Sequence, residues 1–232
     1  MQVILDALPN LLAGALVTLQ LTAITVFLGM ILGSLIGIAR LSANPFLRIA
    51  ARIYIDFLRG TPLLVQIFMI YFGLPALIKA TGSTFTFNQW TAAVLALTLN
   101  SAAYIAEIVR GAIQSIELGQ HEASESLGLG SVQTMRYVIF PQAFRRMIPP
   151  LGNEFISLLK DTSLTAVIGF EELFRKGQLI VAQNYRAFEI YFAVALIYLL
   201  LTLLSSQVFG GLERRFSPVE QARRRARLRS VS

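Results

Sequence analysis

Long apolar runs alternate with short charged stretches along most of this chain. No charged residue lies between Asp6 and Arg40, and a helix needs about 20 apolar residues to cross a bilayer. The pattern therefore predicts a first transmembrane span within residues 11–39. Glycine occupies every fourth position of its second half, at Gly29, Gly33 and Gly37. Small residues at this spacing predict close packing against another helix.

Further apolar runs predict four more spans, over 57–78, 90–109, 151–174 and 188–211. The span over 151–174 differs from the others because it contains Glu154, Lys160 and Asp161. Cytoplasmic loops are enriched in Lys and Arg. With five spans and an outer N-terminus, fifteen of these residues lie on the inner side and four on the outer side. The pattern thus predicts an all-α integral membrane protein with five transmembrane helices and a cytoplasmic C-terminus.

The amino-acid composition indicates that much of this chain is surrounded by lipid rather than by water. Charged residues make up 14% of the sequence, whereas soluble domains carry about a quarter. A formal charge of +7 would suit nucleic acid, but the basic residues lie between and after apolar runs. We therefore predict no nucleic-acid partner. The chain lacks cysteine and has one histidine, His121, so the sequence predicts neither a metal site nor a catalytic triad.

The largest segment outside the predicted spans is an inner loop over 110–150. Within it, Glu122–Gly128 is typical of a short helix, and Gly128 occupies the position of a left-handed C-terminal cap. A loop of this size is a candidate docking surface. We find no internal repeat and no soluble domain, so residues 1–232 are predicted to form one transmembrane domain. For the basic tail over 213–232, anionic-lipid binding and a solvated orienting role both stay open.

A nucleotide site is missing from the sequence patterns. There is no G-x-x-x-x-G-K-[ST] phosphate loop, and the glycine-rich Gly128–Ser131 has no lysine to reach a phosphate. We therefore expect this chain not to be an enzyme and to hold no cofactor. If ATP drives its activity, another polypeptide binds the nucleotide and its Mg²⁺.

Three segments resemble the membrane subunits of ATP-binding-cassette (ABC) importers. The inner loop of those subunits begins its pattern with E-A-A, followed after any three residues by G. Any nine residues then separate this G from I, and any one residue separates the I from L-P. At that spacing this chain has Glu122, Ala123, Gly128, Val138, Phe140 and Pro141. Ser124 replaces the second alanine of the pattern. The segments 56–66 and 153–164 resemble the second and fourth spans of permeases for polar amino acids, such as those for histidine, glutamine or arginine.

The resemblance implies a type I ABC importer-like transmembrane domain in the bacterial inner membrane. It implies four coupling residues that contact a separate ATPase: Glu122, Ala123, Gly128 and Pro141. The implied partners are an ATPase dimer inside, an extracytoplasmic amino acid-binding protein outside and a second permease chain. That second chain is either a copy of this one or a sister chain. Lipid surrounds the assembly.

Ionisable side chains within spans are expensive, so they are candidates for the transport path. Two polar stripes follow helical spacing: Glu154, Ser157 and Asp161 on one span, and Asn100, Tyr104 and Glu107 on another. If these two stripes face each other, they are predicted to bind an amino acid. The carboxylates would accept hydrogen bonds from its ammonium group. More carboxylates than lysines in the spans favour polar or cationic substrates.

Alternatives stay open for several of these residues. In one alternative Lys160 and Asp161 satisfy each other or backbone groups at a helix break. In another, Glu107 lies at the inner interface and pairs with Arg110. Gln66 is predicted to form an interhelical hydrogen bond. Pro62 either breaks the second span or starts it. The rival to a transporter is a membrane scaffold whose inner loop only docks partners, although a scaffold does not explain the charges of the fourth span.

Overall fold

A computed structural model of the protein describes residues 2–82 and 84–216. The described residues are largely helical and contain no strand. In chain order, the first six α-helices are α1 (Gln2–Arg40), α2 (Pro45–Gly60), α3 (Leu63–Phe68), α4 (Leu74–Lys79), α5 (Gln89–Gln114) and α6 (Leu118–Ser126). They continue as the short α7 (Ser131–Gln133), α8 (Phe140–Asp161), α9 (Leu173–Asn184) and α10 (Ala187–Phe216). π-Helical turns over Met69–Gly73 and Thr134–Ile139 precede α4 and α8, and residues 217–232 of the predicted tail lie outside the described range.

The glycine stripe of α1 packs directly on α5. A Cβ atom added to Gly33 would lie 2.7 Å from the carbonyl oxygen of Ala102, and one on Gly37 would lie 2.8 Å from that of Ala106. These separations are shorter than any ordinary van der Waals contact, so only glycine permits this approach. The predicted close helix packing is confirmed.

The second apolar run is sharply bent. The axes of α2 and the helical segment Leu63–Lys79 differ by 107°. Pro62 lies at this break and immediately precedes the first residue of α3. Because N–H groups at the start of a helix have no partner within the helix, the proline costs no hydrogen bond there. α2 and the segment after the break therefore point in different directions, and the predicted span over 57–78 begins with the end of α2.

The charged segment 151–174 is not one uninterrupted helix. α8 ends at Asp161, and a 3-10 helix over Thr162–Ile168 follows. The hydroxyl of Thr162 donates to the Leu159 carbonyl at 2.8 Å, and that of Thr165 donates to the Thr162 carbonyl at 2.7 Å. Such hydroxyl bonds compete with the α-helical ladder. Gly169, at φ 78°, then ends the segment.

Three helices of the described chain are long and apolar enough to cross a membrane: Gln2–Arg40, Gln89–Gln114 and Ala187–Phe216. The bent pair Pro45–Gly60 and Leu63–Lys79 makes a fourth if it counts as one span. α8 carries five charged residues, including Arg145 and Arg146 near its start. The count of five spans therefore stays a prediction.

The buried residues form three apolar clusters along the bundle. Leu11 of α1, Leu173 of α9 and Ile190 of α10 pack together near the start of α1. A second cluster contains Leu21, Leu97 and Leu158, and a third contains Ile105, Ile139 and Met147. The start of α1 thus packs against the start of α10, and their other ends lie towards the third cluster. There α5 ends at Gln114 and α8 begins at Phe140, so much of the loop predicted over 110–150 is helical.

Candidate functional site

A polar cavity lies where the break between α2 and α3 meets α5 and α8. Its volume is about 290 Å³. The residues that line it are Thr61, Pro62, Leu63, Asn100, Tyr104, Glu154, Ser157 and Asp161. Five of the six predicted substrate residues therefore share one cavity.

α8 contributes the two carboxylates of the cavity. Glu154, Ser157 and Asp161 are separated by three and four residues, which places them on one face of a continuous α-helix. Asp161 is the last residue of that helix, so the change to 3-10 geometry falls at the cavity wall. No ion pair joins Lys160 to Asp161 among the residues that the structure describes. A direct contact between these two side chains is therefore not observed, and the alternative in which they bond to backbone groups at the helix break stays open.

Asn100 braces the helix break. Its buried side-chain nitrogen Nδ2 donates to Oε1 of Gln66 at 2.9 Å and approaches the Leu58 carbonyl at 3.4 Å. Gln66 in turn donates through Nε2 to the Leu58 carbonyl at 2.8 Å and to the Thr61 hydroxyl at 2.9 Å. The predicted interhelical bond of Gln66 is confirmed. These amides hold the carbonyl groups that a broken helix leaves free.

Glu107 is the one predicted path residue that does not line this cavity, and it forms the ion pair with Arg110 that the sequence left open as an alternative. Its carboxylate accepts hydrogen bonds from Arg110 Nε at 3.0 Å and Nη2 at 2.6 Å. Arg59 Nη1 lies 3.8 Å from the same carboxylate. The guanidinium of Arg59 also stands over the ring of Tyr104, 5.1 Å from its centroid. Glu107 therefore belongs to an ion cluster beside the cavity, because Arg110, one turn away on α5, forms an ion pair with its carboxylate.

Pro62 lines the cavity at a helix break, as one of its two sequence alternatives allowed, whereas its neighbours Thr61 and Leu63 were not among the predicted site residues. A break inside an apolar run exposes backbone groups that can bind a ligand. The hydroxyl of Thr61 donates to the Phe57 carbonyl at 2.8 Å, which closes the end of α2. The Gly60-Thr61-Pro62 sequence was the available signal, since glycine and proline together mark a helix end.

The predicted helix of the inner loop is present as α6, and Gly128 ends it at φ 81°. The N–H of Gly128 donates to the Glu125 carbonyl at 2.9 Å, and that of Leu129 donates to the Ser124 carbonyl at 3.1 Å. These two bonds define a Schellman motif, which favours glycine at the left-handed position. The predicted cap is confirmed.

The outer surface of α6 is available for a partner. Glu122 and Ala123 are exposed, and the Leu127 side chain that follows the helix is 81% exposed. Ser124 is buried, and its hydroxyl donates to the His121 carbonyl at 2.8 Å. The position where this chain departs from the E-A-A pattern therefore faces its own bundle, where a small residue fits.

Pro141 lies in the first turn of α8, just after the π-helical turn Thr134–Ile139. Proline is tolerated there because the first turn of a helix has no partner for its N–H groups. Its side chain is exposed. Pro141 thus marks the point at which the inner loop becomes α8.

Comparison with known proteins places the chain in a family. Residues 27–218 match the model for the binding-protein-dependent transport system inner membrane component. The glutamine transport system permease protein GlnP of Escherichia coli (strain K12) is 46% identical over 209 residues, which cover 90% of this chain and 94% of GlnP. The L-cystine transport system permease protein TcyB of Bacillus subtilis (strain 168) is 43% identical over 89% of this chain and 86% of TcyB.

Solved structures agree with this placement. A crystal structure of an amino acid ABC transporter with histidines has a chain 41% identical to this one, with a TM-score of 0.85 over 91% of this chain and 96% of that chain. The MetNI methionine ABC transporter superposes with a TM-score of 0.72 at 21% identity and supports the fold alone. The predicted all-α, ABC importer-like fold is thereby confirmed. The chain belongs to the family of inner membrane components of binding-protein-dependent transport systems.

Proposed function

We propose that this chain is the permease subunit of an ATP-driven amino acid importer and that the cavity at the α2–α3 break receives the amino acid in transit. The observation that carries the proposal is the meeting of Glu154 and Asp161 in one cavity. A charged side chain at the centre of a membrane helix costs about 2.5–3.5 kcal/mol. Two of them beside one cavity have an evident use in binding a cationic group.

The chemistry of the cavity suits an amino acid. Its volume of about 290 Å³ is near the lower end for small-molecule sites. The carboxylates of Glu154 and Asp161 are placed to accept the substrate ammonium group. The hydroxyls of Ser157 and Tyr104 and the backbone of the helix break are placed to bind its carboxylate. Asn100 contributes mainly by holding that break.

The substrate class is the finer part of the proposal. Relatives of this chain are permeases for glutamine and L-cystine. The cavity is lined by two carboxylates and, among the described residues, by no lysine or arginine. An acidic lining favours polar or cationic amino acids over acidic ones, because a second negative charge would be repelled.

Energy coupling and assembly complete the proposal. Members of this family work with a separate ATPase subunit, and we assign its docking site to Glu122, Ala123, Gly128 and Pro141. An extracytoplasmic binding protein would deliver the substrate, and a second permease chain, identical or homologous, would close the path. The excess of arginine at the end of the bundle that carries α6 supports an inner position for this end. The N-terminus is then outside and the C-terminus inside.

Uptake by a reconstituted transporter tests this function. The chain would be assembled in proteoliposomes with its ATPase and binding protein, and uptake of radiolabelled glutamine, arginine, histidine and cystine would be measured. We expect ATP-dependent accumulation of at least one of them, abolished by an ATPase variant that cannot hydrolyse ATP. A complex that assembles and hydrolyses ATP but accumulates none of these amino acids would favour the scaffold alternative.

A further inference from the structure

An apolar groove separate from the polar cavity runs along the last part of α1. Its volume is about 700 Å³. The floor is formed by the buried side chains of Val109, Ile113 and Met147. Leu35 of α1 forms part of one wall and Phe144 of α8 part of the other, and they are 63% and 41% exposed. The groove is thus a deep apolar channel that is open along its length.

The position of the groove places it at one end of the apolar bundle. It follows α1 from Met30 to Ala39 and ends against Leu41 and Ser42, where that helix stops. Ser34 and Ser42 are the polar residues among those that line it. If the proposed orientation holds, this is the depth of the cytoplasmic leaflet, where the surrounding medium consists of lipid chains. An open apolar channel at this depth fits an acyl chain.

One arginine lies beside the groove, and two more are sequence neighbours of residues that line it. A neighbouring depression of about 450 Å³ shares Met135 and Phe140 with it and is lined by Arg136. Arg48 and Arg145 each directly follow a residue of the groove lining. All three arginines are exposed, and none takes part in the ion pairs found within residues 2–82 and 84–216. Arg136, whose guanidinium stands 5.6 Å from the centroid of the Tyr137 ring, supplies a positive charge beside the groove that complements a phosphate headgroup.

The C-terminal end of α10 lies beside the wall of the groove. The ring of Phe216, the last described residue, lies 6.4 Å from the ring of Phe144 in the groove wall. The sequence that follows Phe216 contains five arginines. Only the ring contact of Phe216, at the end of the described residues, places α10 beside the groove wall.

We propose that this groove binds an anionic phospholipid of the cytoplasmic leaflet, with an acyl chain between α1 and α8 and the headgroup phosphate at Arg136. The proposal depends on the proposed orientation but not on the transported substrate. Because the groove wall includes the start of α8, a bound lipid would pack against the segment that joins the inner loop to the bundle.

A tryptophan reporter tests the proposal. The chain has one tryptophan, Trp90, so in a Trp90→Phe background an introduced Phe144→Trp is the only tryptophan of this chain. The fluorescence of the same complex without the introduced tryptophan would be subtracted to remove the contribution of the ATPase. The complex with its ATPase would be placed in nanodiscs containing brominated phosphatidylglycerol or brominated phosphatidylcholine. We expect the anionic lipid to half-quench the reporter at a mole fraction at least about fivefold lower than the mole fraction of phosphatidylcholine that does so. One basic residue near the surface contributes about that factor. Phe140→Trp is the second reporter if Phe144→Trp does not assemble.

Matched variants separate a site from general lipid contact. Ser34→Phe fills the groove and is expected to remove the preference for the anionic lipid, whereas Ser206→Phe on the exposed side of α10 is not. Arg136→Gln is expected to reduce the preference about fivefold. A reporter at Val208, which is 63% exposed on α10, should show no preference.

Two results would overturn the proposal. Equal quenching by both lipids, unchanged by Ser34→Phe, would show ordinary contact with the bilayer. Quenching by neither lipid would mean that another occupant, such as a second copy of the chain, covers the groove. Failure of amino acid uptake with an intact lipid preference would refute the proposed substrate class and leave this site standing.

Discussion

The side chains of Asn100 and Gln66 are joined by a hydrogen bond of 2.9 Å that connects α5 to the first turn of α3. Both residues are buried, with 6% and 3% of their surfaces exposed. Together they hold the carbonyl of Leu58 and the hydroxyl of Thr61 at the α2–α3 break. The cavity wall formed by that break therefore depends on this pair.

Breaking the pair should destabilise the fold through unsatisfied amides. We expect Gln66→Ala and Asn100→Ala each to reduce stability by about 1–3 kcal/mol, because a buried partner is left without its hydrogen bond. The double variant should cost less than the sum of the two, since the second change removes the group that the first left unsatisfied. Thermal unfolding of the purified complex measures all three. Strictly additive losses would show that the two side chains act independently.

Removing one cavity charge should impair transport without disturbing assembly. Asp161→Asn keeps the shape of the side chain but loses the charge that attracts an ammonium group. We expect import to fall at least about tenfold, equivalent to about 1.4 kcal/mol of lost interaction, with normal co-purification of the ATPase. Lys160→Gln is the control, because Lys160 is adjacent in the chain but does not line the cavity. Wild-type import by Asp161→Asn would exclude Asp161 from the path.

Gly128 should be the sensitive position of the inner loop. At φ 81° a residue with a Cβ costs about 1–2 kcal/mol, although no atom lies within 4 Å of the added group. Gly128→Asp also adds a negative charge at the C-terminal end of α6, where the helix dipole disfavours it. We expect correct membrane insertion with weakened co-purification of the ATPase and loss of import.

A matched substitution on the same helix serves as the control for Gly128. Gly119 lies at the start of α6, has ordinary backbone angles and also has open space around its Cβ position. Gly119→Asp places the charge where the helix dipole favours it, so import should be largely retained. Full assembly and full import by Gly128→Asp would show that α6 does not couple the ATPase to the spans.

The contact between α1 and α5 should not tolerate a methyl group at Gly33. Its Cβ would lie 2.7 Å from the Ala102 carbonyl oxygen and 2.8 Å from Ile105. We expect Gly33→Ala to lower stability by about 1–3 kcal/mol through overpacking. Gly111→Ala on α5 meets no neighbour within 4 Å and should be neutral or stabilising by about 0.4–1 kcal/mol. Thermal unfolding of both variants in one detergent would distinguish packing from helix propensity, and equal melting temperatures would contradict this account.

The path residues show where local pattern stops being sufficient. Helical spacing correctly grouped Glu154, Ser157 and Asp161, because residues three and four apart share a face. The same rule grouped Glu107 with Asn100 and Tyr104, yet Glu107 is held by Arg110 and Arg59 outside the cavity. Spacing places a side chain on a face of its helix. Spacing does not determine with which of several nearby charged groups that side chain will form an ion pair.

What the sequence by itself determined is the set of local features. Apolar runs specify helices in lipid, the glycines of α1 specify a close contact, and Gly128 specifies a left-handed cap, since each depends on residues within a few positions of one another. The partners of these features were decided by the tertiary structure. The clearest case is the pair of hydrogen bonds that Asn100 makes at the α2–α3 break, to Gln66 and to the Leu58 carbonyl, because these groups lie far apart in the chain. A hydrogen bond between residues 34 positions apart leaves no periodic signal in the sequence, because only folding brings its donor to its acceptor.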